Sequence, residues 1–221
     1  MIDKKVVLIS ISGFCGTGKT TTANLFVEKL SKAVMVRGDL LMSDAALKYL
    51  EEFEKIFDMP LDVNDTYYSI SKGINKGATQ FGAFLELVHP FVDSEIHKII
   101  ESILVDPKKS DTEHIVIEWA ALPICPIWEE SDYRVMIDAP KEERNRKLYE
   151  RSHPLRIPKE EYRNAGDIRE EAIKKIIKDV KRINFHIYNT FDQNLVKDVQ
   201  QICDSITQSK SQTKLHKKWR K

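Results

Sequence analysis

Cysteine is scarce in this 221-residue chain: three residues, at positions 15, 125 and 203. Their odd number and wide spacing exclude a disulfide framework and fit a reducing cytoplasm. Zinc-type cysteine or histidine spacing is missing too. No apolar run approaches the ~20 residues of a membrane-spanning helix. Met1-Ile2-Asp3-Lys4-Lys5 leads straight into an apolar run, which leaves no room for a signal peptide. Internal repeats are lacking, so a solenoid is excluded. Neither Asp-x-x-Gly nor Asn-Lys-x-Asp occurs, which argues against a GTPase-type switch. Charge of one sign is missing as well: 35 basic residues face 34 acidic ones, for a net charge of +1. The balance is uneven, because residues 210–221 hold six basic residues and no acid, leaving 29 basic against 34 acidic elsewhere. The body therefore carries about −5 and offers no basic face for nucleic acid. The tail, 209–221, reads as a disordered, solvated end; contact with an anionic partner is the alternative.

The chain does carry Gly13-Phe14-Cys15-Gly16-Thr17-Gly18-Lys19-Thr20, which matches the phosphate-loop pattern G-x-x-x-x-G-K-[ST]. Val6-Val7-Leu8-Ile9-Ser10-Ile11 precedes it and reads as a buried parallel strand. Residues 20–30 follow with helical spacing of Leu25, Phe26 and Leu30. Strand, loop and helix stand in the order the motif needs. Glycines let successive N–H groups turn inward as an anion nest, and the helix adds its positive end. The expected phosphate-binding set is Gly13, Cys15, Gly16, Thr17, Gly18, Lys19, Thr20 and Thr21. Lys19 would reach the β- and γ-phosphates of ATP, and the Thr20 hydroxyl would ligate Mg²⁺. Cys15, among phosphate-binding amides, is either a tolerated loop residue or a reactive thiol.

Further strands are expected at 33–36, 114–119, 133–138 and 185–188, separated by helices. Five strands alternating with helices predict an α/β, three-layer α/β/α P-loop kinase-like fold, with a five-stranded parallel sheet ordered 2-3-1-4-5. One such domain spans 1–208. The mostly helical stretch of about 40–105 is too long for a plain crossover and is expected to form an acceptor-binding subdomain. Its helices are read at 44–57, around 84–88 and at 91–104, with His89-Pro90 interrupting the last two. A charged helix from 141 to 151 feeds Ser152-His153-Pro154-Leu155-Arg156-Ile157-Pro158, and about 146–166 is expected to act as a lid. Arg146, Arg151 and Arg156 are the candidates for bringing a guanidinium onto a transferring phosphoryl group. A long helix follows from about 167 to 182, and a last one spans about 193–206.

Two acids complete the candidate site. Asp39 follows the second strand, on the sheet edge where open α/β sheets bind ligands; it either takes a proton from an attacking hydroxyl or caps the next helix. Glu118 ends the third strand, where it either reaches Mg²⁺ through water or serves as a buried structural acid.

Four segments together resemble dephospho-coenzyme A kinase. They are the phosphate loop; Leu85-Glu86-Leu87-Val88-His89-Pro90-Phe91-Val92; Val135-Met136-Ile137-Asp138-Ala139-Pro140 leading to Arg151; and Ile187-Tyr188-Asn189. The resemblance runs over roughly 6–206. It implies ATP-dependent phosphorylation of the ribose 3′-hydroxyl of dephospho-CoA. It also implies that Asp39 meets that hydroxyl, His89 lies in the acceptor subdomain, Arg151 is the lid arginine and Asn189 lies near adenine. Arg37-Gly38-Asp39 stands where the family has Asp-x-Asp. The other readings are a nucleoside or nucleotide kinase of the same fold, and a non-catalytic nucleotide-binding regulator. In each case the expected partner is a small molecule, with no membrane.

Overall fold

The computed structural model describes residues 6–109, 111–152, 159–177, 180 and 182–218. Runs rich in β-branched and aromatic residues form five strands: β1 (Val7–Gly13), β2 (Ala33–Arg37), β3 (His114–Glu118), β4 (Tyr133–Asp138) and β5 (Phe185–Tyr188). All neighbours pair in parallel, in the order β2-β3-β1-β4-β5, as the alternating pattern predicts. The helices are α1 (Lys19–Lys29), α2 (Gly38–Lys48), α3 (Leu50–Phe57), α4 (Thr66–Ile74), α5 (Ala78–Val105), α6 (Pro126–Glu130), α7 (Lys141–Ser152), α8 (Lys159–Ile177) and α9 (Asn194–Lys218). No helix among the described residues is long and apolar enough to cross a membrane.

Strand periodicity divides the interior in two. Ile9 and Ile11 of β1 and Val116 of β3 pack with Phe26 of α1 and Val199 and Ile206 of α9. Ile115 and Ile117 point the other way, into a larger core built with α2 to α6 and α8. At its heart Phe53, Phe57 and Phe84 form a ring cluster with centroids 4.8 to 5.5 Å apart.

The 40–105 block is more regular than its sequence suggests. The helix read over 44–57 is two helices, broken where Tyr49 leaves helical geometry at φ −110° and ψ 44°. Gly73 sits inside α4, where its missing side chain makes room for the Phe57 ring. His89-Pro90 does not interrupt α5, which runs unbroken for 28 residues. Proline removes the N–H that Glu86 O would accept, a loss worth ~3 kcal/mol in a helix. The His89 ring fills that gap, with Nδ1 lying 2.9 Å from Glu86 O. Burial of Phe84, Leu85, Val88, Val92 and Ile96 holds the helix together on either side.

Two further boundaries differ from the sequence reading. α8 starts at Lys159, eight residues before Asp167, so much of the expected lid is helix. α9 continues to Lys218, into the tail read as disordered; residues 194–218 contain no glycine or proline to stop it.

Candidate active site

β1 runs into the phosphate loop at Gly13 and α1 begins at Lys19. Gly13 has φ 144° and lies so close to Ile137 O that any side chain would collide. Gly18, at φ 91°, is the residue before the helix, and a Cβ there would stand 2.5 Å from the Asn189 amide. The loop is braced from within. Phe14 O accepts from the Thr17 hydroxyl at 2.9 Å, from Thr17 N at 3.4 Å and from Lys19 Nζ at 2.8 Å. It is braced from outside by Asn189, whose Nδ2 donates to Thr17 O at 2.8 Å while its Oδ1 accepts from Phe191 N. Asn189 thus ties the end of β5 to the loop.

The β2–β3 register sets Arg37 beside Glu118 at the carboxyl edge of the sheet. Gly38 follows, and the Trp119 ring lies where its side chain would be. Asp39 falls in the first turn of α2 and forms no capping bond; its Oδ2 accepts from Arg37 Nη2 at 2.8 Å. Glu118 is buried, and its Oε2 accepts from the Thr20 hydroxyl at 3.3 Å. Burial pushes the Glu118 carboxyl above its ordinary range, and the charge of Asp39 adds to that, against the opposing pull of Lys19, Arg37 and the Thr20 bond. Asp39, Glu118, Lys19 and Arg37 therefore share one pocket.

The residues fit a magnesium–nucleotide complex. Mg²⁺ needs only one or two protein oxygens when phosphates and water complete its octahedron. Thr20 Oγ1 beside Glu118 offers that, and no cluster of three or more His, Cys, Asp or Glu among the described residues offers a different metal site.

A cavity of about 870 Å³ joins these groups. Its lining includes Cys15, Gly16, Gly18, Thr21, Asn189 and Phe191, together with Lys19, Thr20, Asp39 and Glu118. Apolar side chains complete the lining, among them Met42, Ile70, Ile74, Phe81, Leu85 and Trp119. Trp119, at 2% exposure, is both core and wall. His89 is not among the lining residues; it lies one turn of α5 beyond Leu85, beside Pro90. Arg146 lines the cavity edge but is exposed and engaged by Glu143 and Glu150, each at 2.6 Å. Arg151 belongs to the last turn of α7, and Arg156 lies outside the described residues.

Three arginines emerge that the sequence did not single out for the site. Arg37 and Arg169 line the cavity. Arg144 is buried, stacks its guanidinium 5.0 Å from the Phe14 ring and pairs with Glu170 at 2.8 Å, so it ties α7 to the phosphate loop and to α8. No local pattern marks them, since their places come from strand register and helix packing.

Of the three thiols, Cys125 and Cys203 are buried and burial pushes both upward, Cys203 to about 11. Cys15 is half-buried and lines the cavity. Alkylation of the native protein is expected at Cys15 first, slowed at least tenfold by saturating Mg-ATP. Equal labelling with and without nucleotide would show that the thiol lies outside the phosphate site.

Strand order, phosphate loop and helical layers together define the P-loop kinase fold. No family model and no curated protein sequence matches the chain. Solved structures do. TT1252 from Thermus thermophilus superposes with a TM-score of 0.62 at 21% identity, covering 91% of this chain and 98% of that one. Shikimate kinase from Bacteroides thetaiotaomicron gives 0.50 at 14% identity, again over 91% and 98%. At these identities the likeness is one of fold.

Proposed function

We propose that this chain is a Mg²⁺-dependent kinase that moves the γ-phosphoryl group of ATP to a hydroxyl of a small acceptor. The supporting observation is that Lys19, Thr20, Asp39 and Glu118 line one cavity together with apolar side chains such as Ile70, Ile74, Phe81 and Leu85. Lys19 neutralises charge on the phosphates as it develops. Asp39 orients the acceptor hydroxyl and accepts its proton. Thr20 and Glu118 hold the metal, which when bound supplies charge neutralisation on the phosphate oxygens. Transfer is direct and in line, with no covalent enzyme intermediate.

The acceptor favoured by the four sequence segments is dephospho-CoA. Pockets of ~300–1,000 Å³ accommodate drug-sized ligands, and this cavity lies near the upper end of that range. The test is ATP consumption with Mg²⁺ against dephospho-CoA, nucleosides and nucleoside monophosphates. Turnover confined to dephospho-CoA, with a 3′-phosphorylated product, is expected. Turnover only with a nucleoside or monophosphate would replace the acceptor, and no turnover with any of them would overturn the kinase reading.

A further inference from the structure

Arg37 is the last residue of β2, and its guanidinium lies between the two carboxylates of the site. Nη2 donates to Asp39 Oδ2 at 2.8 Å, and Nε stands 4.0 Å from Glu118 Oε2. That separation is too long for a hydrogen bond, and Nε is buried with no hydrogen-bond partner. On the carboxylate side, Asp39 Oδ1 is likewise buried and unpartnered. The contact is thus a single bond on one oxygen of Asp39, leaving the other uncommitted. Lys19, the other cation near Glu118, is engaged by Phe14 O.

We infer that Arg37 is a positioning residue for phosphoryl transfer: it holds Asp39 in place by Oδ2 and separates its charge from that of Glu118. This rests on the kinase reading above. Burial would lower the guanidinium's proton affinity, yet the bond to Asp39 and the charges of Asp39 and Glu118 raise it, so the cation persists. Without it, two carboxylates would share the pocket with Lys19 as their only counter-charge among these groups, and Asp39 would turn away from Glu118.

The test is a double-mutant cycle in kcat, with whichever acceptor the wild type turns over. Arg37→Gln is expected to lower kcat about 100-fold while KM for ATP changes less than about threefold. Arg37→Lys is expected to recover at least tenfold of the loss. In an Asp39→Asn background, Arg37→Gln is expected to cost less than threefold more, because the two residues act as one unit. An unchanged kcat, a full loss persisting without Asp39, or an effect confined to the KM of the acceptor would overturn the assignment; the last would make Arg37 an acceptor-binding residue. A crystal structure of Arg37→Gln reads the same point without turnover. Asp39 is expected in a different rotamer with Lys19 and Glu118 unmoved, and an Asp39 that keeps its place overturns the inference. A wild type that turns over no acceptor would overturn the kinase reading alone, leaving this structural comparison to decide.

Discussion

Lys19→Ala is expected to lower turnover by about 10³-fold, the scale for removing a charge-stabilising donor from a phosphoryl-transfer site, while the protein stays folded. Both halves of the result follow from the loop. Among the described residues Lys19 makes no salt bridge within 4 Å, although its charge acts on Glu118; its ammonium donates to Phe14 O, a carbonyl that also accepts from the Thr17 hydroxyl and amide. Truncation therefore leaves no orphaned acceptor. Asn189 continues to hold the loop through Thr17 O. What is lost is the one cation of the loop itself, at the start of α1. Steady-state turnover with Mg-ATP, together with a thermal melt, checks the expectation. Wild-type activity would remove Lys19 from the mechanism, and a collapsed melting transition would mean the loop depends on it structurally.

Asp39→Asn is expected to reduce kcat by about 10²- to 10⁴-fold, the range for a lost general base, with ATP affinity changed less than about threefold. The substitution keeps shape and an oxygen able to accept from Arg37, so the local geometry survives while the proton acceptor disappears. Nucleotide affinity is insulated because Asp39 comes from α2 rather than from the phosphate loop. Comparing kcat with ATP binding by calorimetry separates the roles. An unchanged kcat would reduce Asp39 to a favourable charge in the first turn of α2, worth ~0.3–1 kcal/mol.

The sheet was legible from sequence because its strands are short runs rich in β-branched and aromatic residues, and both β4 and β5 begin and end where the pattern places them. The phosphate loop was legible because its chemistry demands particular residues in a row. The helical block was harder, since its rules are tertiary. Gly73 reads locally as a breaker, but the Phe57 ring occupies the space its missing side chain leaves. Pro90 reads as a stop, but the adjacent histidine supplies a partner for the freed carbonyl. That local repair also gives His89 a structural task at a place where resemblance suggested acceptor binding. Asp39 and Glu118 were readable from position alone, at strand ends on the sheet edge. Arg37 was not, because its significance arises only when the β2–β3 register sets it beside Glu118. Arg169 and Arg144 depend on how α7 and α8 pack, which no short spacing encodes.

The division of the interior by the sheet has a bearing on how such a chain can diversify. α1 buries Ala23 and Phe26 in the core shared with α9, whereas four apolar residues of the cavity wall, Ile70, Ile74, Phe81 and Leu85, belong to the opposite core. Substitutions at those four positions can reshape that part of the cavity, and the strain they create falls first on α4 and α5, which carry them. On the proposed kinase function, taste for an acceptor and the handling of phosphate are in this way separately heritable. A library randomised at those four positions should yield folded variants with altered acceptor ranking and a common affinity for ATP.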